Sequence, residues 1–588
     1  MQNKQNRLKT CLQENNYIVQ AYQHYGGLSG YQDYGVLGTR IKNKFISSWR
    51  DDFVNDDSDN IIEIETPNIM PYMALKASGH VDRFTDFVVY DNDGICYRAD
   101  HLAKSWFKNN NMESNADKVD TWDQQTLENN INKYKMIMPI VDEYTKIPSQ
   151  IKVVKKNLMF EVPSTSNEHG IDFLRPELAQ GIFVNFRVCQ QFLQKDPPFG
   201  IAQVGKSYRK EISPQQYTRM REFWQAEIEY FTDPLNKTHS NYDKFKDTII
   251  PLLTSDMQTK NSNTPILISI NDAVEKKLIS HKLMAYFLSK IYLFVLKMGI
   301  HVDKVRFRQH MPHEMAHYAS ECWDLETYVN NDWLECVGCA DRGSFDLQAH
   351  SFGNSLMKSK RLLSDGKTVM TYKPRLDMKI IGQRYKNLSA GIMQYFNGMS
   401  QSQLKDLKDT LFKENDTTYI SIDNNICILT KDMIKIDEII IKVQHEDYFP
   451  HVIEPSFGID RLIYSIFEQN FWARENDDQR IVLSLPSILS PFDVAILPLS
   501  KNDNLLPLVK TIKKTLGSYG FKCHTDNSGT SIGKRYTRID EMGIKFAITI
   551  DFDSLNDNKV TIRERDTMSQ IRVDIDKILE NLSNTGSV

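Results

Sequence analysis

Apolar and polar positions alternate most regularly in two runs of the chain, residues 202–212 and 221–231. Side chains in a strand point to opposite faces with period two. In the first run Gln203, Ser207, Arg209 and Glu211 share one face. In the second run Arg221, Phe223, Gln225, Glu227 and Glu229 share one face, opposite Trp224, Ala226, Ile228 and Tyr230. The pattern predicts an antiparallel hairpin that presents two arginines, several carboxylates and a phenyl ring on one surface. A solvated sheet face with cross-strand ion pairs satisfies it. So does a nucleotide floor, because guanidinium forks match phosphate oxygens and a phenyl ring stacks on a base.

Elsewhere the period changes. Residues 235–300 read as helical, with Leu283, Tyr286, Phe287 and Ile291 at helical spacing. Residues 157–231 read as strands separated by Pro and Gly. Residues 105–150 and 358–450 are rich in Asn, Lys and Asp and are expected to be insertions, and so is the stretch 235–300. A short Pro- and Ser-containing linker at 484–491 leads into strands at 494–497, 522–525 and 546–550 and a helix at 504–516. The expected organisation is one α+β domain over 1–485, built on a central antiparallel sheet and carrying those insertions, and a small α/β domain over 486–588.

Length and composition narrow the classes. A chain of 588 residues has room for two to four domains, and 41% hydrophobic with 25% charged residues is ordinary globular usage. The net charge of −4 excludes a uniformly basic nucleic-acid coat but not a local basic patch. Eight irregularly spaced cysteines do not form a disulfide framework, which favours a reducing compartment. The first twenty residues lack the apolar core of a secretory signal, and a mitochondrial presequence is the alternative to a cytoplasmic protein. The most apolar long stretch, 283–302, is interrupted by Lys290 and Lys297, so no membrane association is expected.

A second run sharpens the chemistry. In Val452-Ile-Glu-Pro-Ser-Phe-Gly-Ile-Asp-Arg461, Glu454 and Ser456 share a strand face and Gly458 ends the strand. A helix follows, with Ile459, Leu462, Ile463, Ile466 and Phe467 on its core stripe. Arg461 falls in that helix's first turn, where the macrodipole disfavours a cation unless an anion lies beside it. Arg209-Lys-Glu211 with Arg221-Glu-Phe223 resembles motif 2 of the class II aminoacyl-tRNA synthetases, and Gly458-Ile-Asp-Arg461 resembles their motif 3. The stretches 31–38, 76–82, 98–101, 175–183, 333–342 and 454–458 are similar to glycyl-tRNA synthetases of the eukaryotic and archaeal type. Residues 528–535 and 563–566 resemble that family's anticodon-binding domain.

The resemblance implies ATP-dependent activation of glycine to glycyl-adenylate and its transfer to the 3′ end of tRNA(Gly). It leaves open diadenosine tetraphosphate synthesis as a side activity. It implies Arg209 and Arg461 as catalytic residues, with Arg209 bridging the glycine carboxylate and the α-phosphate and Arg461 holding the γ-phosphate. ATP contacts are implied at Lys210, Glu211, Thr218, Arg219, Met220, Arg221, Glu222, Phe223, Glu335, Cys336, Gly458, Ile459 and Asp460. Glycine contacts are implied at Arg98, Glu177, Phe223, Trp224, Gln225, Ala226, Glu227, Glu454, Pro455, Ser456, Phe457 and Gly458. Glu335 is the candidate Mg2+ ligand. Motif 1, around Pro71, implies a homodimer. Physical chemistry supports the pocket independently: glycine offers only an ammonium and a carboxylate, and converging carboxylates grip the former while excluding a methyl group.

Competing motifs carry less. His313-Glu-Met-Ala-His317 is a formal HExxH, which needs a helix and a third ligand to hold zinc. Cys336 and Cys339 form a CxxC that reads as buried thiols, and 26–30 is a glycine-rich turn near the substrate pocket. Lys534, Arg535 and Arg538 are expected to meet the anticodon stem. The motif 2 loop, 213–220, is about one residue shorter than usual in the family, which bears on tRNA preference. The rival from another class is a non-catalytic nucleic-acid-binding or regulatory protein on the same fold, expected to lack the motif arginines and pocket carboxylates that are present here.

Overall fold

The computed structural model describes residues 2–91, 94–116, 118–136, 151–165, 167–316, 318–352, 356–411, 417–423, 425–475 and 477–584. Its centre is a nine-stranded sheet. In chain order the strands are β1 (Ile61–Glu63), β2 (Phe199–Tyr208), β3 (Glu222–Thr232), β4 (Ile249–Leu253), β5 (Ile266–Ser269), β6 (Val305–Gln309), β7 (Glu321–Val329), β8 (Asp332–Gly343) and β9 (His451–Gly458). Across the sheet the order is β5-β4-β6-β7-β8-β9-β3-β2-β1. Only β1 with β2 and β4 with β6 pair in parallel; the run from β6 to β2 is antiparallel throughout.

Three helices, α1 (Val36–Phe53), α2 (Lys282–Lys297) and α3 (Ile459–Gln469), share one hydrophobic core with the sheet. Phe457 on β9 meets Phe53 at 4.9 Å, Trp49 at 5.8 Å and Phe294 at 6.0 Å between ring centroids. The expected stripe of α3 is buried at every position, and Asp460, Tyr464 and Ser465 are buried as well.

Residues 235–300 depart from the expected insertion. Ile249-Ile-Pro-Leu-Leu253 forms β4, buried but for its first residue, and β5 covers it as the sheet's edge. A short continuous apolar run fits a strand buried on both faces as well as a helix, so periodicity did not separate them. The linker also differs from expectation: Leu485 and Leu489 are fully buried, so 484–491 packs rather than swings.

Residues 99–136 form helices around Phe107, Leu127 and Ile131, and the rest of that expected insertion, 137–150, lies outside the described residues. Residues Lys358–Tyr448 make a separate compact unit. A long hairpin (Ser359–Leu376 with Ile434–Tyr448) there carries a second, smaller hairpin and helices over Ile381, Ile392, Phe396 and Leu429.

The C-terminal part has a five-stranded sheet of β10 (Val494–Pro498), β11 (Cys523–Thr525), β12 (Phe546–Ile550), β13 (Lys559–Glu564) and β14 (Gln570–Asp574), in the order β11-β10-β12-β13-β14. Helices α4 (Leu506–Ser518) and α5 (Ile532–Glu541) cover it. Arg535, expected at the surface, is fully buried and donates to the carbonyls of Pro498 and Leu499, whereas Lys534 and Arg538 are exposed. Arg563 and Arg474 both bind the buried Asp540.

Candidate active site

The cleft lies on the sheet face opposite the three helices. Register sets which residues face it. Gln225 pairs with Gly458, Glu227 with Ser456, Ser456 with Gly338, and Glu454 with Ala340, so these positions of β3, β9 and β8 point the same way. The alternate positions, Ala226, Pro455 and Phe457, are turned away from the cleft, and Ala226, Phe457 and Ile459 belong to the helix-side core. A contiguous motif read as a run of contacts therefore overcounts, because the pleat gives the cleft every second residue.

A cavity of about 380 Å³ opens on this face. Its lining includes Glu177, Arg209, Glu211, Thr218, Arg219, Met220, Phe223, Trp224, Gln225, Glu227, Glu335, Cys336, Glu454, Ser456, Gly458, Asp460 and Arg461. Besides Ala226, Pro455 and Phe457, five expected contacts stand elsewhere or to one side. Lys210 is exposed, Glu222 is ion-paired with Lys206 beside a neighbouring cavity, and Ile459 is in the core. Arg98 is held by Asp100 at 2.6 Å and Asp86 at 3.2 Å. Arg221 donates to the carbonyls of Glu211 and Ser29. Its backbone N–H also binds the Gly30 carbonyl at 2.8 Å, and a Cβ on Gly30, which has φ +84°, would fall 2.9 Å from the Arg221 side chain. The glycine turn thus braces the motif 2 hairpin rather than cradling a phosphate.

The strand pair ends one residue before Arg209, whose N–H still bonds to the Arg221 carbonyl at 2.9 Å. The guanidinium donates to the Pro176 carbonyl at 3.1 Å and lies 5.4 Å from the Phe223 ring centroid and 5.5 Å from that of Phe84. Arg461 donates to the carbonyls of Thr218 and Glu335, both at 2.8 Å, and so clamps the motif 2 loop to β8. Tyr217 stacks on Tyr464 of α3 at 4.8 Å and closes the same loop. A bulge in the β7–β8 ladder leaves Cys336 without an opposite residue; Glu335 turns out into the cleft, 57% exposed, while Cys336 is buried near Thr327 and Ser465. Asp460 accepts from Trp224 N–H at 2.7 Å and from Tyr34, and burial pushes its carboxyl up to about 6.

Carboxyl groups crowd the floor. Ser456 Oγ and the Leu178 N–H donate to Glu227 at 2.7 and 2.8 Å. Arg342 donates through one nitrogen to both oxygens of Glu454 (2.9 and 3.0 Å) and through the others to Asp346. Its guanidinium lies 3.9 Å from the Tyr318 ring centroid. His80 lies 3.4 Å from Glu177, to which Gln180 donates at 2.9 Å. Burial opposes ionisation of Glu177, yet His80, Arg342 and Gln180 hold it well below the usual carboxylate range. Burial lifts Glu227, and it lifts Glu454 to about 8 against the pull of Arg342, which Asp346 and Glu177 share. Glu177, Glu227, Glu229, Glu454 and Asp346 thus face Arg342 and His80, an excess of carboxyl groups whose charged forms a cationic group in the cavity would favour.

Sequence reasoning placed Glu229 on the right face but gave it no role, and it passed over Arg342, Asp346 and His80. The period-two set Gly338, Ala340, Arg342 on β8 was a usable signal for the arginine; Asp346 and His80 come from separate segments and carried none. Among the described residues, His310–Cys322–Asp324 and Glu227–Glu229–Glu454 are grouped closely enough to hold a metal, and neither group includes Cys336 or Cys339. Residues 311–316 are turns rather than helix, Glu314 accepts from Arg308 and from the Met311 N–H, and His317 lies outside the described residues. The zinc-protease geometry is therefore not formed.

Residues 493–585 match the family model described as an anticodon binding domain. Over 578 residues the chain is 39% identical to the glycine–tRNA ligase of Methanocaldococcus jannaschii, covering 96% of each protein. The chain belongs to the glycine–tRNA ligase family. Glycine–tRNA ligase 1 (mitochondrial) and glycine–tRNA ligase 2 of Saccharomyces cerevisiae are each 35% identical to it, over 98% of this chain and 89% and 95% of theirs. Giardia lamblia prolyl-tRNA synthetase, solved with prolyl-adenylate, aligns with a TM-score of 0.52 at 12% identity, over 100% of this chain and 80% of that one. The chain therefore has the class II synthetase fold, an antiparallel sheet followed by an anticodon-binding domain. No helix among the described residues is long and apolar enough to cross a membrane.

Proposed function

We propose that the cleft binds glycine and ATP side by side, joins them as glycyl-adenylate with release of pyrophosphate, and passes the glycyl group to the 3′ end of tRNA(Gly). The chain is an ATP-dependent aminoacyl-tRNA ligase by family; the assignments of its residues are ours. The observation that carries them is the convergence of Glu177, Glu227, Glu454 and Ser456 beside Arg209 in one cavity.

In this reading the glycine ammonium enters the carboxylate floor and its carboxylate points at Arg209. No general base is needed, because the carboxylate is already the nucleophile. Arg209 draws the attacking oxygen and the α-phosphate together, and alignment alone can supply on the order of 7–11 kcal/mol of the barrier. Phe223, already flanked by the Arg209 guanidinium, stacks on the adenine, and Arg461 reaches the terminal phosphate from the first turn of α3. Glu335 fits a Mg2+ ligand: its carboxylate stands exposed at the rim, 3.6 Å from the Arg461 guanidinium, while its cross-strand neighbour Glu326 is engaged by Arg306 and Arg308. One protein carboxylate suits an ion that phosphates share, and Mg2+ bound with ATP would neutralise phosphate charge.

The acting form is a homodimer in the cytoplasm. Ile69 and Met73, beside Pro71 in the chain, and Val184, Val188 and Phe192 are exposed apolar residues that a second copy would cover, and the eight cysteines are free thiols, as a reducing compartment keeps them. The deciding experiment is amino-acid-dependent ATP–pyrophosphate exchange without tRNA, comparing glycine, alanine and serine. Exchange with glycine alone, lost in Arg209→Ala and Glu227→Ala, is expected. A folded protein that binds ATP yet exchanges with none of the three overturns the reading.

A further inference from the structure

Glu229 has no part in the roles above. It lies on β3 one pleat beyond Glu227, on the same face, and its side chain is wholly buried. Among the described residues, neither of its oxygens meets a donor. One carboxyl oxygen each from Glu227, Glu229 and Glu454 nevertheless fall within 4.8 Å of one another. The charged groups that face it are Glu454, Arg342, Glu227 and Asp346, and Arg342 already commits its donors to Glu454 and Asp346.

A buried carboxylate without a donor is strongly disfavoured. A neutral carboxylic acid in the same place is a donor, and a neighbouring carboxylate is its natural acceptor, forming a charge-assisted O–H···O bond. We propose that Glu229 holds a proton and, once the glycine ammonium has drawn Glu454 into its charged form, donates a hydrogen bond to the Glu454 carboxylate, acting as a positioning residue for that ammonium. Gripped by Arg342 on one side and Glu229 on the other, Glu454 keeps a fixed orientation with a lone pair turned to the cavity. The proton also removes one negative charge from a floor that a single ammonium could not balance. Burial and the neighbouring Glu454 push Glu229 in the same direction, well above the usual carboxylate range. The inference rests on reading Glu227 and Glu454 as ammonium ligands.

Two substitutions in the full-length protein test it. Glu229→Gln keeps a neutral donor of the same shape; Glu229→Leu removes the donor at similar volume. The infrared C=O stretch of a neutral carboxylic acid, recorded at neutral pH in heavy water, is expected to lose one component in Glu229→Gln. In ATP–pyrophosphate exchange, Glu229→Leu is expected to raise KM for glycine by roughly 10- to 100-fold with KM for ATP retained, and Glu229→Gln to restore most of the loss. An unchanged infrared band, a Gln variant as impaired as the Leu variant, or a Leu variant with the parent's glycine KM would each overturn the proposal. Glu227→Gln separates the two layers of the reading. If it leaves glycine KM unchanged, the ammonium pocket itself is wrong; if it raises KM while Glu229→Leu does not, only the role of Glu229 fails.

Discussion

Charge at single residues makes the pocket sensitive to pH. Glu454 is lifted to about 8 before glycine binds, chiefly by burial. An ammonium placed beside it favours the charged form, so binding releases a proton. Affinity for glycine must then rise with pH and level off near the free-state value. We expect KM for glycine to fall between about pH 6 and 8, by at most roughly tenfold per pH unit for each proton released, and calorimetry in buffers of different ionisation enthalpy to count the protons. Asp341 behaves oppositely. Burial opposes its charge, but His281 and Lys237 hold its carboxyl far below the ordinary range. That stabilisation is complete above about pH 4 and is lost on acidification. Asp341→Asn should lower stability by on the order of 3 kcal/mol at neutral pH, and chemical denaturation should show a shallower decline of stability toward acid.

At the scale of elements, α3 is the piece on which strand, loop and cleft converge. Its first turn carries Asp460, which holds Trp224 and Tyr34, and Arg461, which holds the carbonyls of Thr218 and Glu335. Removing the Arg461 guanidinium frees the 213–220 loop and, in the proposed reading, a phosphate contact as well. Arg461→Ala is expected to cut exchange by roughly 100- to 1,000-fold, and amide hydrogen exchange should quicken in that loop. If the loop's protection is unchanged, the clamp is wrong even if activity falls. Gly30→Ala tests the brace from the other end. It combines strain at φ +84° with a 2.9 Å approach to Arg221, and should cost about 1 kcal/mol or more. Its thermal unfolding midpoint reports the strain, and its exchange rate reports whether the hairpin needs the brace.

Across the whole molecule, two surfaces should separate from the chemistry of the cleft. Val188 and Phe192, 63% and 77% exposed on the helix Phe186–Leu193, are not part of the cavity's lining and belong to the face proposed for the dimer. Phe192→Asp should yield monomers by light scattering, with the sheet's core untouched. On α5, Lys534 and Arg538 are exposed, Arg538 pairing with Asp526 at 3.2 Å. Charge reversal at both should raise KM for tRNA in aminoacylation and leave glycine-dependent exchange near the parent rate. Equal loss in both assays would place the defect in folding.

Period-two alternation around Glu227 and Ser456 and the helical stripe of α3 were legible in the chain alone, and the resemblance carried by the ordered motifs implied the fold class and named most of the cavity's lining. Local geometry fixes such features, because a strand's facing is set by counting residues. Contiguous motifs reached too far: Ala226, which the alternation itself puts on the opposite face, Phe457 and Ile459 were drawn into the site by adjacency although the pleat or the helix turns them into the core. Apolar content without turn signals could not tell the buried strand β4 and its edge partner β5 from helix. Only the tertiary structure decided which charges meet. Arg342 serving Glu454 and Asp346, His80 reaching Glu177, and Glu229 enclosed without a donor all join segments from different parts of the chain. Burial, which no single residue carries in its identity, sets what those carboxyl groups do.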